Sequence, residues 1–258
     1  MPEAGGQSGG DVRDRVSPQE WQARLDLAMA HRLLYASGVD DLTYNHLSAR
    51  VPGESDALLI KPADFTFDEV TASGLLKFGT DGSRRLPEGP PLQGGALIIH
   101  AGILRARPDI DVVFHTHTPA TIAVSNQAHG LLPISQHALL FHGRIAYHDF
   151  KGLEFNAGMD EALLRDLGDK RIALLRNHGA LITADSVAEA VVLHHFLEFA
   201  CQTQVASLAG GQELVVPPAG VVAEAARQYA EVEATRDGGK NWEALKRRAE
   251  RLFPGYKS

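Results

Sequence analysis

The amino-acid sequence predicts one α/β domain with a single hydrophobic core. The chain has 258 residues, of which 44% are hydrophobic and 22% are charged, a composition that is typical of a globular protein. Segments with the helical period of apolar residues alternate along the chain with short runs that favour strands. Because a single core stops growing at roughly 250 to 300 residues, we expect one domain over residues 17–258. Residues 1–16 are Gly-rich and lack an apolar period, which predicts a disordered tail.

Capping motifs mark where the two longest predicted helices begin. Ser17-Pro18-Gln19-Glu20 combines a capping box with proline at the first helical position, and the apolar face continues until Gly38. Ser186 and Glu189 form a second capping box before a helix that runs through Ala200 and beyond. The apolar period predicts further helices over residues 97–104, 119–126, 221–232 and 242–253.

Short runs rich in aliphatic residues predict the strands. Residues 47–51 and 57–60 are joined by Pro52-Gly53-Glu54-Ser55, and this arrangement is the signature of a hairpin. Further strand candidates are residues 74–78, 111–114, 172–175 and 181–183. The last two of these are expected to pair with each other. Helices and strands are therefore mixed around one core.

Charge and composition exclude several classes of partner. The net charge is -7 and the isoelectric point is near 5.9, so we expect no basic surface for nucleic acid, and acidic residues such as Asp41 should lie on solvated faces. No segment approaches the roughly 20 consecutive apolar residues of a membrane span, and the polar N-terminus does not resemble a signal peptide. Cys201 is the only cysteine, which excludes an internal disulfide. We therefore expect a cytoplasmic protein that acts on a small molecule.

Twelve histidines are a high number for this length, and some of them indicate a metal site. In Phe114-His115-Thr116-His117 the two imidazoles lie two residues apart on a predicted strand, so they share one face and can bind one ion. His178 follows a second apolar run, at a turn that we attribute to Gly179. Three protein ligands with an open position are typical of a catalytic metal. The spacing alone leaves open the alternative that these histidines are hydrogen-bonded surface or core residues.

Several motifs occur in a fixed order around these histidines. They are Asn45-His46-Leu47-Ser48-Ala49-Arg50, Arg107-Pro108-Asp109, Val113-Phe114-His115-Thr116-His117, Leu132-Pro133-Ile134-Ser135-Gln136, Ala146-Tyr147-His148-Asp149 and Leu174-Leu175-Arg176-Asn177-His178-Gly179. From about Trp21 to Gly210, this order of motifs resembles the class II aldolase/adducin family. The last two motifs are most similar to its adducin-like bacterial branch.

The resemblance carries expectations about fold, metal and assembly. It implies a three-layer α/β/α class II aldolase-like fold with a central, mostly antiparallel sheet. It also implies one divalent metal ion held by His115, His117 and His178, with zinc as the first choice and Fe(II) or Mn as alternatives. Members of the family commonly assemble as homotetramers with active sites at subunit interfaces, so we expect a homo-oligomer.

Departures from the sugar-phosphate aldolases of the family bear on the substrate. Those enzymes have an acid/base glutamate four residues before the histidine that His100 matches, and Ala96 stands at that position here. His100 itself is expected to be a hydrogen-bonded core histidine. The same enzymes bind phosphate with a Thr-Gly pair and a Ser-Ser pair, which are replaced here by Ala63-Asp64 and Gly94-Gly95. Because an aspartate repels an anion, we expect an unphosphorylated substrate.

The resemblance also suggests roles for four other residues. His137 aligns with a tyrosine that donates a proton in the active site of the neighbouring subunit, and a histidine can transfer protons near neutral pH. His148 is a second catalytic candidate, with a packing role as the alternative. Asn45 is expected to bind substrate, with the shaping of a turn as its alternative. Lys61 is expected to attract a substrate carboxylate.

Three functions are compatible with these observations. The first is a metal-dependent carbon-carbon lyase of aldolase or decarboxylase type, which acts on a small unphosphorylated oxo or hydroxy acid through a metal-stabilised enolate. The second is a non-heme Fe(II) oxygenase that uses the three histidines to cleave an aromatic 2-oxo acid. The third is a non-catalytic assembly module similar to the head domain of adducin, and the retention of all three histidines argues against it.

Overall fold

An eight-stranded sheet forms the centre of the protein. The computed structural model describes residues 12–87, 90–152, 158–231 and 239–258. The strands are β1 (His46–Val51), β2 (Glu54–Ile60), β3 (Leu76–Gly79), β4 (Arg84–Leu86), β5 (Val112–Thr116), β6 (Ile145–His148), β7 (Ile172–Leu175) and β8 (Gly179–Ala184). They lie in the order β4-β3-β2-β1-β5-β8-β7-β6. Only β6 and β7 pair in parallel, so the described sheet is mostly antiparallel, as predicted.

Helices connect and cover the strands. The α-helices are α1 (Pro18–Ala36), α2 (Gly102–Ala106), α3 (Pro119–Ser125), α4 (Gln136–Leu140), α5 (Met159–Leu167), α6 (Val187–Ala209), α7 (Ala219–Glu231) and α8 (Gly239–Leu252). A π-helix over Ala96–Ala101 leads directly into α2. Short 3-10 helices occupy Val12–Arg15, Phe67–Glu69 and Pro254–Lys257.

The sheet separates two hydrophobic layers. Leu47, Phe114 and Ile182 pack with α1, α6 and α8 on one face. Val113 and Leu181 pack with the π-helix, α2 and α5 on the other face. Successive residues of β5 and β8 therefore point to opposite faces, as the period of two in a strand requires. The predicted three-layer α/β/α architecture is confirmed.

Most predicted helices and strands are present with small shifts of their ends. The Ser17 hydroxyl accepts the Glu20 N–H at 3.0 Å and the Ser186 hydroxyl accepts the Glu189 N–H at 3.2 Å, so both predicted N-caps are confirmed. The predicted hairpin is β1 and β2, which pair antiparallel. The segment predicted as one helix over residues 97–104 is the π-helix followed by α2. β4, β6, α4 and α5 have no counterpart in the prediction.

The predicted tail lies largely outside the described residues. Residues 1–11 are not described, and the 3-10 helix Val12–Arg15 places the Arg13 guanidinium 5.7 Å from the centre of the Trp21 ring. The predicted end of the α7 segment at residue 232 also lies outside the described residues. Within the described ranges, the structure has no helix with the length and apolar character needed to cross a membrane.

A buried ion-pair network holds α1 against the sheet. The Arg24 side chain is fully buried, and its Nε donates to Glu20 Oε1 at 2.9 Å. Lys77 Nζ on β3 lies 2.8 Å from Glu20 Oε2 and 2.6 Å from Glu54 Oε1. Glu20 thus balances two cations, the fully buried Arg24 and the partly buried Lys77, and its own side chain is only 2% exposed. Removing one partner of such a pair leaves an uncompensated buried charge.

We expect Glu20→Ala to lower the free energy of unfolding by about 3 to 5 kcal/mol, because Arg24 and Lys77 would lose their shared carboxylate. Chemical denaturation followed by circular dichroism measures this change. The matched control is Glu231→Ala, which removes a solvent-exposed carboxylate that pairs with Arg227 and should leave stability nearly unchanged. Equal effects of the two substitutions would contradict a stabilising role for the buried network.

Candidate metal centre

Three histidine side chains converge where the central strand β5 ends and its neighbour β8 begins. The Nε2 atoms of His115 and His117 are 2.9 Å apart, those of His117 and His178 are 3.0 Å apart, and those of His115 and His178 are 3.2 Å apart. Among the described residues, these three form the group that could hold a metal ion. His115 lies on β5, His117 directly follows this strand, and His178 lies in the turn between β7 and β8.

His115 and His117 converge as predicted, although only His115 lies within β5. The strand ends at Thr116, so His117 directly follows it. The His117 backbone N–H donates to Asn45 Oδ1 at 2.8 Å. This hydrogen bond holds the backbone beside the His117 ring, whose Nε2 atom lies 2.9 Å from that of His115.

The position of His178 also depends on a turn that differs from the prediction. Asn177, and not Gly179, has the left-handed backbone of this turn, with φ of 59°. Gly179 is required for another reason, since a Cβ atom there would lie 2.4 Å from the Thr116 carbonyl oxygen. The absence of a side chain lets the start of β8 approach the end of β5. This close approach brings His178 beside His117.

Hydrogen bonds at the outer ring nitrogens orient two of the imidazoles. His117 Nδ1 lies 2.9 Å from Asp41 Oδ2, and His115 Nδ1 lies 3.1 Å from the Ala180 carbonyl oxygen. A carbonyl or ionised carboxylate only accepts, so both Nδ1 atoms carry the hydrogen and both Nε2 lone pairs point into the cluster. Burial lowers the pKa of His115 well below its ordinary value, and neighbouring histidines lower this pKa further, so the ring is neutral at pH 7. Lone pairs held this close repel each other unless a cation lies between them.

The donor set fits a divalent transition metal. Tetrahedral coordination with metal–nitrogen bonds of about 2.0 to 2.1 Å places neighbouring nitrogens about 3.3 Å apart, close to the separations of 2.9 to 3.2 Å seen here. Three imidazoles suit zinc or iron, whereas magnesium and calcium prefer oxygen ligands. Three protein ligands leave at least one coordination position for a reactant. The support of His117 by Asp41 matches the carboxylate–histidine pairs that orient ligands in many metal sites.

Asn45 and Lys61, the two predicted substrate-binding residues, already have partners within the protein. Asn45 is buried and its Oδ1 holds the His117 backbone N–H, so its observed contact positions a ligand. Lys61 Nζ donates to the carbonyl oxygens of Thr43, Pro62 and Phe65 at 3.0, 3.2 and 2.7 Å. All three N–H groups of the ammonium are therefore occupied. Direct binding of substrate by either residue stays a prediction.

The two predicted catalytic histidines lie apart from the cluster within this chain. His137 is on α4, with its ring centre 4.4 Å from that of Phe199 on α6. His148 ends β6, and its Nδ1 lies 2.7 Å from Asp166 Oδ2 on α5. The His148 carbonyl oxygen accepts the N–H of Arg176 at 2.8 Å, which supports the chain two residues before His178. Catalytic roles for both histidines stay predictions.

Two residues near the cluster were missed in the sequence analysis. Asp41 was expected on a solvated face, and its side chain is 42% exposed, but its carboxylate also contacts His117. His46 was noted only as part of a motif, yet its ring centre lies 5.2 Å from that of His115. The expected core position of His100 is confirmed, since this side chain is fully buried. Contacts between residues 69 and 76 positions apart have no signal in sequence spacing, so only the folded chain reveals them.

Comparisons with known proteins agree with this architecture. The family model described as Class II Aldolase and Adducin N-terminal domain matches residues 25–205. The chain belongs to this class II aldolase/adducin family. A Pseudomonas aeruginosa protein whose name assigns it to aldolase class 2 is 38% identical over 250 residues, which cover 96% of each chain.

Two further members of the class II aldolase/adducin family match different shares of their own length to this chain. The crystal structure of an aldolase II superfamily protein from Pseudomonas syringae is 44% identical, with a TM-score of 0.91 over 96% of this chain and all of that one. Rat alpha-adducin is 38% identical over 198 residues, which are 75% of this chain and 27% of alpha-adducin. The class II aldolase fold is therefore shared across nearly the whole length with the bacterial protein and over one part of adducin.

We expect Asp41→Asn to weaken zinc affinity by about 10- to 100-fold, because the amide loses the negative charge that supports His117. Competition with a chromophoric chelator measures the affinity. Asp40→Asn is the matched control, since the hydrogen bond seen for the neighbouring Asp40 side chain among the described residues is from the Leu42 backbone N–H, which an asparagine can also accept. Equal affinities in wild type and Asp41→Asn would exclude this support for the ligand.

Proposed function

We propose that this protein is a divalent-metal-dependent lyase, of aldolase or decarboxylase type, that acts on a small unphosphorylated oxo or hydroxy acid. The convergence of three histidine Nε2 atoms within 3.2 Å carries the proposal. Membership of the class II aldolase/adducin family supports lyase chemistry. The outward hydrogen bonds of His115 and His117 support a site that is organised before metal binding.

Each residue of the site has a task in this proposal. His115, His117 and His178 would hold the ion, while Asp41 and Asn45 keep His117 in place. When bound, a divalent ion supplies Lewis-acid stabilisation of the negative charge that develops on a substrate oxygen as the carbon–carbon bond breaks.

The surroundings of Lys61 support a substrate without a phosphate group. Burial lowers the pKa of Lys61, the carboxylates of Asp64 and Glu69 oppose this shift, and the resulting pKa is about 8, so the ammonium is charged at pH 7. Its charge favours an anionic substrate through space, although its N–H groups are bonded to backbone oxygens. The nearby carboxylate of Asp64 offsets part of this charge. A single carboxylate is therefore better matched to the site than a dianionic phosphate.

An oxygenase is the second candidate because the ligand set lacks a carboxylate. Among the described residues, the group suited to a metal ion consists of histidines alone. Three neutral imidazoles can also bind Fe(II) and leave positions open for oxygen chemistry. Oxygen uptake by protein loaded anaerobically with Fe(II), in the presence of an aromatic 2-oxo acid, would favour this candidate over the lyase.

We expect wild-type protein to bind one divalent ion and to cleave at least one small oxo or hydroxy acid without consuming oxygen. His115→Ala should abolish tight metal binding and activity because two imidazoles cannot hold the ion alone. Elemental analysis, product detection by mass spectrometry and an oxygen electrode provide the measurements. His129→Ala, at an exposed histidine, is the control. Wild-type protein that binds no metal would point instead to a non-catalytic module like that of adducin.

We further propose that His137 acts in the site of a neighbouring subunit within a homotetramer. His115→Ala and His137→Ala should each be inactive alone. In hybrid oligomers, an intact site needs His115 from a His137→Ala subunit and His137 from a neighbouring His115→Ala subunit. In an equal mixture, about a quarter of the sites should therefore regain activity. The measurement is cleavage of the acid that the substrate screen identifies, before and after the two variants are mixed and reassembled. A mixture of His115→Ala and His178→Ala should regain none, because both changes damage the same metal centre. Failure of the first mixture would contradict a shared site.

A further inference from the structure

A chain of three polar side chains extends from the metal centre into the protein. His46 Nδ1 lies 2.7 Å from His100 Nε2, and His100 Nδ1 lies 2.6 Å from the Ser48 hydroxyl oxygen. His46 and Ser48 are on β1, two residues apart, and face the π-helix that carries His100. Ser48 and His100 are fully buried, whereas His46 is partly exposed. Solvent and ligands can therefore reach this chain only through His46.

Hydrogen-bonding capacity determines where the protons of this chain lie. The Ser48 hydroxyl has no other hydrogen-bond partner in the described part of the chain. If Ser48 donates to His100 Nδ1, then His100 Nε2–H donates to His46 Nδ1, and the Ser48 hydroxyl hydrogen and both ring nitrogens of His100 are all used. If His100 Nδ1–H donated to Ser48 instead, the hydroxyl hydrogen would be buried without an acceptor, which is unfavourable. The first arrangement is favoured, and it leaves the hydrogen of neutral His46 on Nε2.

The partly exposed His46 is placed beside the metal centre by strand pairing. His46 on β1 is directly opposite His115 on β5, so the two side chains share the same face of the sheet. Their ring centres are 5.2 Å apart, with an angle of 41° between the ring planes. Because Nδ1 of His46 is bound to His100 in the interior, the Nε2 side of the ring is the part left to contact a ligand.

We propose that Ser48 and His100 fix His46 as a neutral Nε2–H donor, and that this N–H binds an anionic oxygen of the substrate at the metal centre. The substrate part of this inference rests on the proposed function. A neutral donor adds no second positive charge beside a metal ion, yet it still stabilises a carboxylate or an oxyanion. The site then combines a cation and a fixed dipole around one small anion. Ser48 and His100 act as positioning residues, and His46 contacts the substrate.

The proton arrangement can be tested without substrate. Long-range 15N–1H correlation spectra of 15N-histidine-labelled, zinc-loaded and metal-free protein distinguish the two neutral forms of His46, with His46→Gln used for assignment. We expect the Nε2–H form in wild type. Ser48→Ala removes the donor to His100 Nδ1, so the fraction of His46 in the Nε2–H form should fall. An Nδ1–H form of His46 in wild type would overturn the proposal.

The substrate contact can be tested with oxalate, a small dianion with carboxylate oxygens. Calorimetry on zinc-loaded protein should show binding that weakens by about 10- to 100-fold in His46→Leu, which has no donor. His46→Gln, whose amide can donate, should retain most of the affinity, and His129→Leu at an exposed position should be unchanged. Undiminished oxalate binding by His46→Leu, or no oxalate binding by wild type, would overturn the contact.

A separate zinc titration distinguishes failure of this inference from failure of the proposed function. His46→Leu should retain wild-type zinc affinity, since His46 is not one of the three converging ligands. Loss of zinc binding in His46→Leu would assign His46 to the metal instead of the substrate and so overturn the inference. Wild-type protein that binds no zinc would remove the proposed function and the substrate contact together, while the spectra of metal-free protein would still decide the tautomer of His46.

Discussion

The approach of three imidazole Nε2 atoms to within 3.2 Å of one another is the constraint on which the rest of the site depends. Such a cluster is unfavourable without a cation, so the fold must hold it in place. The pairing of β5 with β8, in which Thr116 is opposite Ala180, sets the distance between the two ligand-bearing segments. Gly179 makes this distance possible, and Asn45 and Asp41 then orient His117.

The two ends of β1 serve different purposes. At its hairpin end, β1 is followed by Glu54 of β2, which pairs with Lys77. Lys77 also pairs with Glu20 of α1, so these contacts connect the sheet to α1. At its other end, His46 and Ser48 place polar groups under the π-helix, next to His115. A buried hydrogen-bonded chain of this kind restricts side-chain orientation because each atom has a single partner.

Membership of the class II aldolase/adducin family explains the fold but does not by itself assign a reaction. The same domain occurs in proteins named as aldolases and in adducin, so the reaction depends on the side chains at the end of β5 and in the turn before β8. Here those side chains are the three histidines, a carboxylate that supports one of them, and a fourth histidine on the adjacent strand. The proposal of an unphosphorylated substrate rests on Ala96 and Asp64, which stand where the resemblance expects a glutamate and a phosphate-binding residue.

The sequence by itself determined the family, the order of most helices and strands, and the three histidines that converge, because apolar periods, capping boxes and ordered motifs are local signals. The tertiary structure decided how those histidines meet. His117 is oriented by Asn45, which is 72 positions away, and His46 joins the site only through its pairing with His115 on another strand. The placement of Asp41, His100 and Ser48 has the same origin. Long-range hydrogen bonds and strand register leave no trace in local spacing, since they arise only when distant segments pack together.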